Sequence, residues 1–118
     1  MKSDKSLVLI GMMGSGKSTI GFLLSKKINL EFVDVDNYIE NEEGMKIHEI
    51  FEIKGEEYFR KAELKNSLKI LDKKKTVISL GGGAFINEDI RKKVLSNHIS
   101  IWLNWSSSTI KKRIINSK

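Results

Sequence analysis

The stretch Gly11-Met12-Met13-Gly14-Ser15-Gly16-Lys17-Ser18-Thr19 decides the fold, because it matches the pattern G-x-x-x-x-G-K-[ST] of loops that bind phosphate. The flanking sequence has the context that this motif needs. Residues 6–10 predict a buried strand, and residues 20–28 predict a helix with apolar residues on one face. The glycines allow a tight turn, so that backbone N–H groups can face an anion at the start of the helix. We therefore predict a P-loop between the first strand and the first helix.

The motif also predicts what individual residues do. Lys17 is expected to reach the β- and γ-phosphates of a nucleotide, and the hydroxyl of Ser18 is expected to bind Mg²⁺. A glycine-rich turn that binds nothing is the alternative, and the agreement of strand, loop and helix argues against it. The predicted ATP-binding residues of the motif are Gly11, Gly14, Ser15, Gly16, Lys17, Ser18 and Thr19.

The composition describes one small domain that spans residues 1–118, with 40% hydrophobic and 31% charged residues. The chain has no cysteine, which excludes disulfides and cysteine-ligated zinc. A net charge of +6 suits an anionic ligand such as ATP. The lysines are scattered without interleaved aromatic residues, so we expect no nucleic-acid partner. No apolar run is long enough for a membrane span and no signal peptide is evident, so we expect no membrane partner and a cytoplasmic location.

Two acidic residues follow the second predicted strand, in the segment Leu30-Glu31-Phe32-Val33-Asp34-Val35-Asp36. Residues i and i+2 of a strand face the same way, so we expect Asp34 and Asp36 to leave its carboxyl end side by side, where ligands of open α/β sheets bind. There they could hold metal-bound water and accept a proton from an attacking hydroxyl. Alternatively, Asp36 caps a helix over residues 37–43, and the two roles are compatible.

The rest of the chain predicts an α/β domain with a parallel sheet. Helical patterns cover residues 37–43, 46–51, 56–71, 87–95 and 106–115, and β-rich runs cover residues 76–80 and 99–103. Gly44 and Gly55 are expected to end helices, and Asn87 is expected to cap a helix whose Ile90, Val94 and Leu95 point inward. The run Gly81-Gly82-Gly83 directly follows a buried strand, so we expect a substrate to approach the backbone there. A flexible turn is the alternative. His48 is expected at the surface, and His98 has no evident catalytic partner.

Five segments occur in one order with close spacing, and together they resemble the shikimate kinase family of P-loop proteins. They are the P-loop, Asp34-Val35-Asp36, Ile47-His48-Glu49-Ile50-Phe51, Gly55-Glu56-Glu57-Tyr58-Phe59-Arg60-Lys61-Ala62-Glu63 and Gly81-Gly82-Gly83. The P-loop is shared with many NTPases, whereas the G-E-x-x-F-R-x-x-E segment followed by three glycines is far more specific. The resemblance implies a three-layer P-loop NTPase fold and transfer of the γ-phosphoryl group of MgATP to the 3-hydroxyl of shikimate.

The resemblance also implies roles for single residues. Asp36 binds a substrate hydroxyl and is the candidate base, while Asp34 lies near Mg²⁺. Arg60 pairs with the shikimate carboxylate, and Glu63 orients Arg60. The backbone N–H of Gly82 meets the substrate, which Gly81 and Gly83 allow to approach. The remaining implied contacts are the pocket walls Ile47, Phe51 and Phe59, and Arg113 on adenine, with Lys112 as its alternative.

The sequence departs from the family pattern at its end. In the family, the last helix leads into a lid with an arginine, followed by a further strand and helix, and these have no counterpart here. We therefore expect a C-terminally incomplete kinase domain that ends before the lid, and a monomer. Two alternatives stay open, namely another small-molecule kinase such as a gluconate-type kinase, or a non-catalytic remnant that binds nucleotide.

Overall fold

The computed structural model describes residues 5–11 and 17–103, which form alternating strands and helices. The strands are β1 (Leu7–Gly11), β2 (Glu31–Asp34), β3 (Thr76–Gly81) and β4 (Ile99–Leu103). The helices are α1 (Lys17–Ile28), α2 (Val35–Glu43), α3 (Ile47–Lys54), α4 (Glu56–Ile70), α5 (Gly82–Ile86) and α6 (Glu88–Asn97). All strand pairs are parallel, and the strand order is β2-β3-β1-β4. The predicted helix over residues 106–115 lies outside the described residues.

The sheet is covered on both faces, which gives three layers. Successive residues of a strand point to opposite faces, so Val8 and Ile10 of β1 join one buried cluster and Leu9 joins another. The cluster around Leu9 includes Ile20 of α1, whereas the larger cluster draws its members from α2 to α6. The prediction of a three-layer α/β fold with a parallel sheet is therefore confirmed.

The helices α2 and α3 end at the two glycines at which the sequence predicted that they would end. Gly44 follows α2 with φ of 69°, in the left-handed conformation that suits glycine, and donates its N–H to Glu40. Gly55 has φ of 91° and separates α3 from α4. The turn at Gly55 lets the two helices pack against each other.

The start of α2 differs from the prediction. The strand β2 ends at Asp34, whose side chain accepts a hydrogen bond of 3.2 Å from the N–H of Asn37 and caps the helix. The cap is thus Asp34 and not Asp36, and the expectation that both acids extend from one strand is wrong. Asp36 instead lies in the first turn of α2.

The second half of the chain brings one confirmation and two corrections. Asn87 caps α6 as predicted, because its side-chain oxygen accepts the N–H groups of Asp89 and Ile90 at 2.9 and 3.1 Å. Leu95 was expected to face the core, but it is 61% exposed. The strand β3 runs into the glycine run as expected, since it ends at Gly81, but Gly82 and Gly83 begin the short helix α5 and do not form a flexible turn.

His98 joins the amino-terminal ends of the strands, a role that its sequence position did not indicate. Its Nδ1 accepts the N–H of Ser6 at 3.3 Å, so the ring proton lies on Nε2, which donates to the carbonyl of Leu71 at 2.6 Å. The Ser6 hydroxyl in turn donates to the carbonyl of Lys73 at 2.8 Å and accepts the N–H of Thr76 at 3.1 Å. The imidazole thereby links β1 and β4 to the turn between α4 and β3.

We expect His98→Ala to lower the free energy of unfolding by about 1–3 kcal/mol, because it leaves the buried N–H of Ser6 without its acceptor. His48→Ala is the matched control. His48 is the other histidine of the chain and lies exposed on α3, so its replacement should change the stability by less than about 0.5 kcal/mol. Urea unfolding of both variants measures this difference, and equal stabilities would show that the imidazole does not hold the strands together.

Candidate active site

The carboxyl ends of three strands lie side by side at one edge of the sheet. Gly11 at the end of β1 pairs in register with Gly81 at the end of β3, and Asp34 at the end of β2 pairs with Ser79. This edge is where ligands bind in open parallel sheets. The predicted acidic residues and the glycine run are therefore together on one side of the molecule.

The two flanks of the predicted P-loop are in place. The strand β1 ends at Gly11, and the helix α1 begins with the backbone of Lys17 and Ser18. Thr19 is exposed on the first turn of α1. The other predicted nucleotide-binding residues lie outside the described residues, namely Gly14, Ser15, Gly16 and Arg113. The strand–loop–helix arrangement that the motif requires is thus confirmed, while the contacts of the loop stay predictions.

Asp36 lies against the first glycine of the run. A Cβ added at Gly81 would lie 3.7 and 3.8 Å from the two carboxylate oxygens of Asp36, which is ordinary van der Waals contact. Asp36 is half-buried in the first turn of α2, where the helix dipole favours a negative charge. The structure therefore places a carboxylate beside the end of β3, although it arrives there on a helix and not on a strand.

Arg60 on α4 reaches the third glycine of the run. A Cβ added at Gly83 would lie 2.9 Å from Nη1 of Arg60 and 3.4 Å from Nη2. Nη1 donates a hydrogen bond of 2.8 Å to Glu63, one turn later on the same helix, as the sequence predicted. Nη2 lies 3.9 Å from a carboxylate oxygen of Glu56. That pair is exposed and too long for a hydrogen bond, so its contribution to stability is small.

Two aromatic rings hold the guanidinium from another side. Cζ of Arg60 lies 5.5 Å from the ring centroid of Phe59 and 6.0 Å from that of Phe51. The two rings contact each other with centroids 4.9 Å apart. Such rings attract a guanidinium through the negative charge on their faces and limit the directions in which it can move. Phe51, Phe59 and Ile47 also pack on the main core. Their role as walls of a substrate pocket stays a prediction.

Glu63 is a buried acid that depends on Arg60. Only 5% of the residue is exposed, and burial raises the pKa of the Glu63 carboxyl above its ordinary value. The hydrogen bond and the positive charge of Arg60 oppose this rise in pKa, and the negative charge of Asp36 adds to it. Glu63 therefore lies close enough to both Arg60 and Asp36 for their charges to act on its carboxyl group.

A contact that the sequence did not reveal fixes the start of α4. The hydroxyl of Tyr58 lies 3.0 and 3.1 Å from the carboxylate oxygens of Glu43, and Nζ of Lys54 lies 2.9 Å from the same carboxylate. These bonds lower the pKa of the Glu43 carboxyl. They join the ends of α2 and α3 to the first turns of α4, and so they support the helix that carries Arg60. Fifteen residues separate Tyr58 from Glu43, so no local pattern indicates the pair.

The described residues contain no group of three or more histidine, cysteine, aspartate or glutamate side chains arranged to hold a metal ion. Two carboxylates do lie at the carboxyl edge, on Asp34 and Asp36. Carboxylate oxygens suit Mg²⁺, which usually takes only one or two from the protein and keeps several waters. Asp34 therefore fits the expected magnesium site, while the side chain of Ser18, the other expected ligand, lies outside the described residues. In the same part of the chain, no helix combines the length and the apolar character needed to cross a membrane.

The parallel three-layer fold, the P-loop flanks and the arginine beside a glycine run together define a member of the P-loop NTPase class. A family model described as shikimate kinase matches residues 13–118. A curated shikimate kinase from Sulfurihydrogenibium sp. is 44% identical over 97% of this chain and 69% of its own length. The chain belongs to the shikimate kinase family.

Solved structures agree with this assignment. The structure "Shikimate kinase from Acinetobacter baumannii in complex with shikimate" superposes with a TM-score of 0.83 at 30% identity, over 98% of this chain and 64% of that one. A gluconokinase from Sinorhizobium meliloti reaches a TM-score of 0.52 at 17% identity, over 94% of this chain and 63% of that one, which shows a shared fold alone. The chain spans 53–69% of the length of the first two curated relatives that it matches.

Proposed function

We propose that this chain contributes the nucleotide site and the acceptor site of a kinase that transfers the γ-phosphoryl group of MgATP to the 3-hydroxyl of shikimate. The observation that carries the proposal is the position of Arg60 and Asp36 at the two ends of the glycine run. Shikimate has a carboxylate on one side of its ring and hydroxyls on the other. A guanidinium and a carboxylate on opposite sides of Gly82 match that distribution of groups.

Arg60 is proposed to bind the acceptor carboxylate. A guanidinium recognises a carboxylate best through two parallel hydrogen bonds. Nη1 is already bonded to Glu63, whereas the partner of Nη2 is the distant, exposed Glu56. A substrate carboxylate can therefore displace Glu56 at little cost, while Glu63 keeps the guanidinium in place. The N–H of Gly82 is proposed as a further contact to the substrate.

Asp36 is proposed to bind the reacting hydroxyl and to accept its proton. Phosphoryl transfer depends mainly on positioning and on neutralising charge, so the proton can leave late in the reaction. Lys17 and the loop N–H groups are proposed to hold the phosphates, with Arg113 near adenine. Ser18 and Asp34 are the residues that would hold Mg²⁺, which supplies neutralisation of phosphate charge when bound.

Calorimetric titration of the chain with four compounds tests the proposal. We expect binding of MgATP and of shikimate, and much weaker binding of shikimate methyl ester and of gluconate. Lys17→Ala should abolish detectable MgATP binding and leave shikimate binding unchanged, because Lys17 serves phosphate in the motif. Tight binding of gluconate would favour the other small-molecule kinase, and binding of MgATP alone would favour a nucleotide-binding remnant.

A monomeric state, a cytoplasmic location and the absence of a nucleic-acid partner stay predictions.

A further inference from the structure

Gly83 lies where a side chain would collide with the guanidinium of Arg60. The added Cβ would be 2.9 Å from Nη1, closer than real Cβ contacts, and 3.5 Å from Cζ. Nη1 is also the nitrogen that Glu63 holds at 2.8 Å. The Cβ of an alanine at residue 83 would therefore collide with Nη1, the atom through which Arg60 is hydrogen-bonded to Glu63.

The backbone does not require glycine at this position. Among the described residues, positive φ values at glycine occur only at Gly44 and Gly55, so Gly83 has a conformation that alanine adopts without strain. Gly83 lies in the helix α5, where alanine is the better helix former by about 1 kcal/mol in general. On backbone grounds alone, alanine would be the more favourable residue. The space that glycine leaves is thus used by Arg60.

The side chain of Arg60 is 45% exposed, so an added methyl group at residue 83 would displace the guanidinium toward solvent. Phe51 and Phe59 flank the guanidinium, and Glu63 is buried and fixed on the same helix. We infer that Gly83 is a positioning residue for Arg60. Because Gly83 has no side chain, the guanidinium of Arg60 has room to lie where it can bind a carboxylate, and in this way Gly83 sets the preference of the acceptor site. The inference rests on the proposed function, because that function names shikimate as the ligand. The position of the guanidinium can nevertheless be measured in the absence of any ligand.

The first measurement uses the Nε–Hε resonances of arginine in NMR spectra of the unliganded chain. The chain has three arginines, Arg60, Arg91 and Arg113, so their signals can be assigned with single substitutions. We expect Gly83→Ala to shift the Arg60 signal and to leave that of Arg91 in place. Gly81→Ala is the matched control for this readout, because its Cβ would meet Asp36 at ordinary contact distance. The melting temperature of Gly83→Ala should not fall, since the far end of an arginine can move without disturbing the core.

The second measurement is a double-mutant cycle read by shikimate affinity. Functional groups must be held within about 0.5 Å of their productive positions, so we expect Gly83→Ala to raise the shikimate Kd by about tenfold. In an Arg60→Gln background, which keeps an N–H donor for Glu63, Gly83→Ala should have no further effect. The same tenfold loss in both backgrounds would show that Gly83 acts on the substrate directly and would overturn the inference.

The two measurements separate failure of the inference from failure of the proposed function. If the unmodified chain does not bind shikimate, the proposed function fails, while a shifted Arg60 signal in Gly83→Ala still supports the positioning role. If shikimate binds but Gly83→Ala leaves both the Arg60 signal and the Kd unchanged, the inference is wrong and the proposed function stands. A large loss of thermal stability in Gly83→Ala would assign Gly83 to backbone packing, and would equally overturn it.

Discussion

Arg60→Lys is expected to raise the Kd for shikimate by about 10- to 100-fold while leaving the Kd for MgATP unchanged. Hydrogen bonds to charged groups contribute about 1.5–3 kcal/mol each, and lysine loses the planar fork that can bond Glu63 and the substrate at once. The compact ammonium group keeps the charge, but its attraction to the buried carboxylate of Glu63 leaves it poorly placed for a second one. Calorimetric titration of the two ligands into each variant measures the effect.

Lys61→Gln is the matched control for this substitution. Lys61 is the next residue on α4, its side chain is exposed, and it pairs loosely with Glu57 at 3.8 Å. Lys61→Gln removes a full positive charge and keeps the planar guanidinium of Arg60. Arg60→Lys, in contrast, keeps the charge and removes the guanidinium. We expect near-normal shikimate binding by Lys61→Gln. If Lys61→Gln raised the Kd as much as Arg60→Lys, the loss would reflect a general disturbance of α4 and not the missing guanidinium of Arg60, and the proposed carboxylate contact would be wrong.

The features that the sequence predicted well depend on local rules. The helix ends at Gly44 and Gly55 follow from the freedom of glycine, and the cap at Asn87 follows from its short polar side chain. The bond between Arg60 and Glu63 follows from spacing on one helix. Each of these can be recognised within a few residues of chain, because the interacting groups are neighbours along it.

The contacts that the sequence did not predict join distant segments. The meeting of Gly83 with Arg60 depends on how α5 packs beside α4, and the bond of His98 to Ser6 spans 92 residues. Pairs of this kind are set by the packing of whole elements and leave no periodic pattern. The prediction for Asp36 shows the same limit, since the expected strand geometry was wrong while the expected position at the carboxyl ends of the strands is confirmed. Asp34 accepts the N–H of Asn37 and caps α2, so the strand ends two residues earlier than expected.

Asp36→Asn is expected to lower kcat by about 100- to 10,000-fold, the usual loss when a positioned general base is removed. Asparagine has nearly the same shape, so the contact with Gly81 and the first turn of α2 should persist. The amide can still bond the substrate hydroxyl but cannot accept its proton, so KM should change much less than kcat. The assay measures ADP release with shikimate in a form of the chain extended by the C-terminal part of a curated relative.

A fall in kcat with a nearly unchanged KM distinguishes a residue that accepts the proton from one that only binds the acceptor. Loss of Asp36 also removes a negative charge that raises the pKa of Glu63, so the ion pair of Glu63 with Arg60 should be strengthened if anything. The carboxylate-binding side of the site is therefore expected to remain intact in Asp36→Asn. Asp89→Asn, at an exposed position in the first turn of α6, is the control and should leave both constants near normal. A rise in the shikimate KM with an unchanged kcat would mean that Asp36 only binds the acceptor, and the proton would then have to leave by another route.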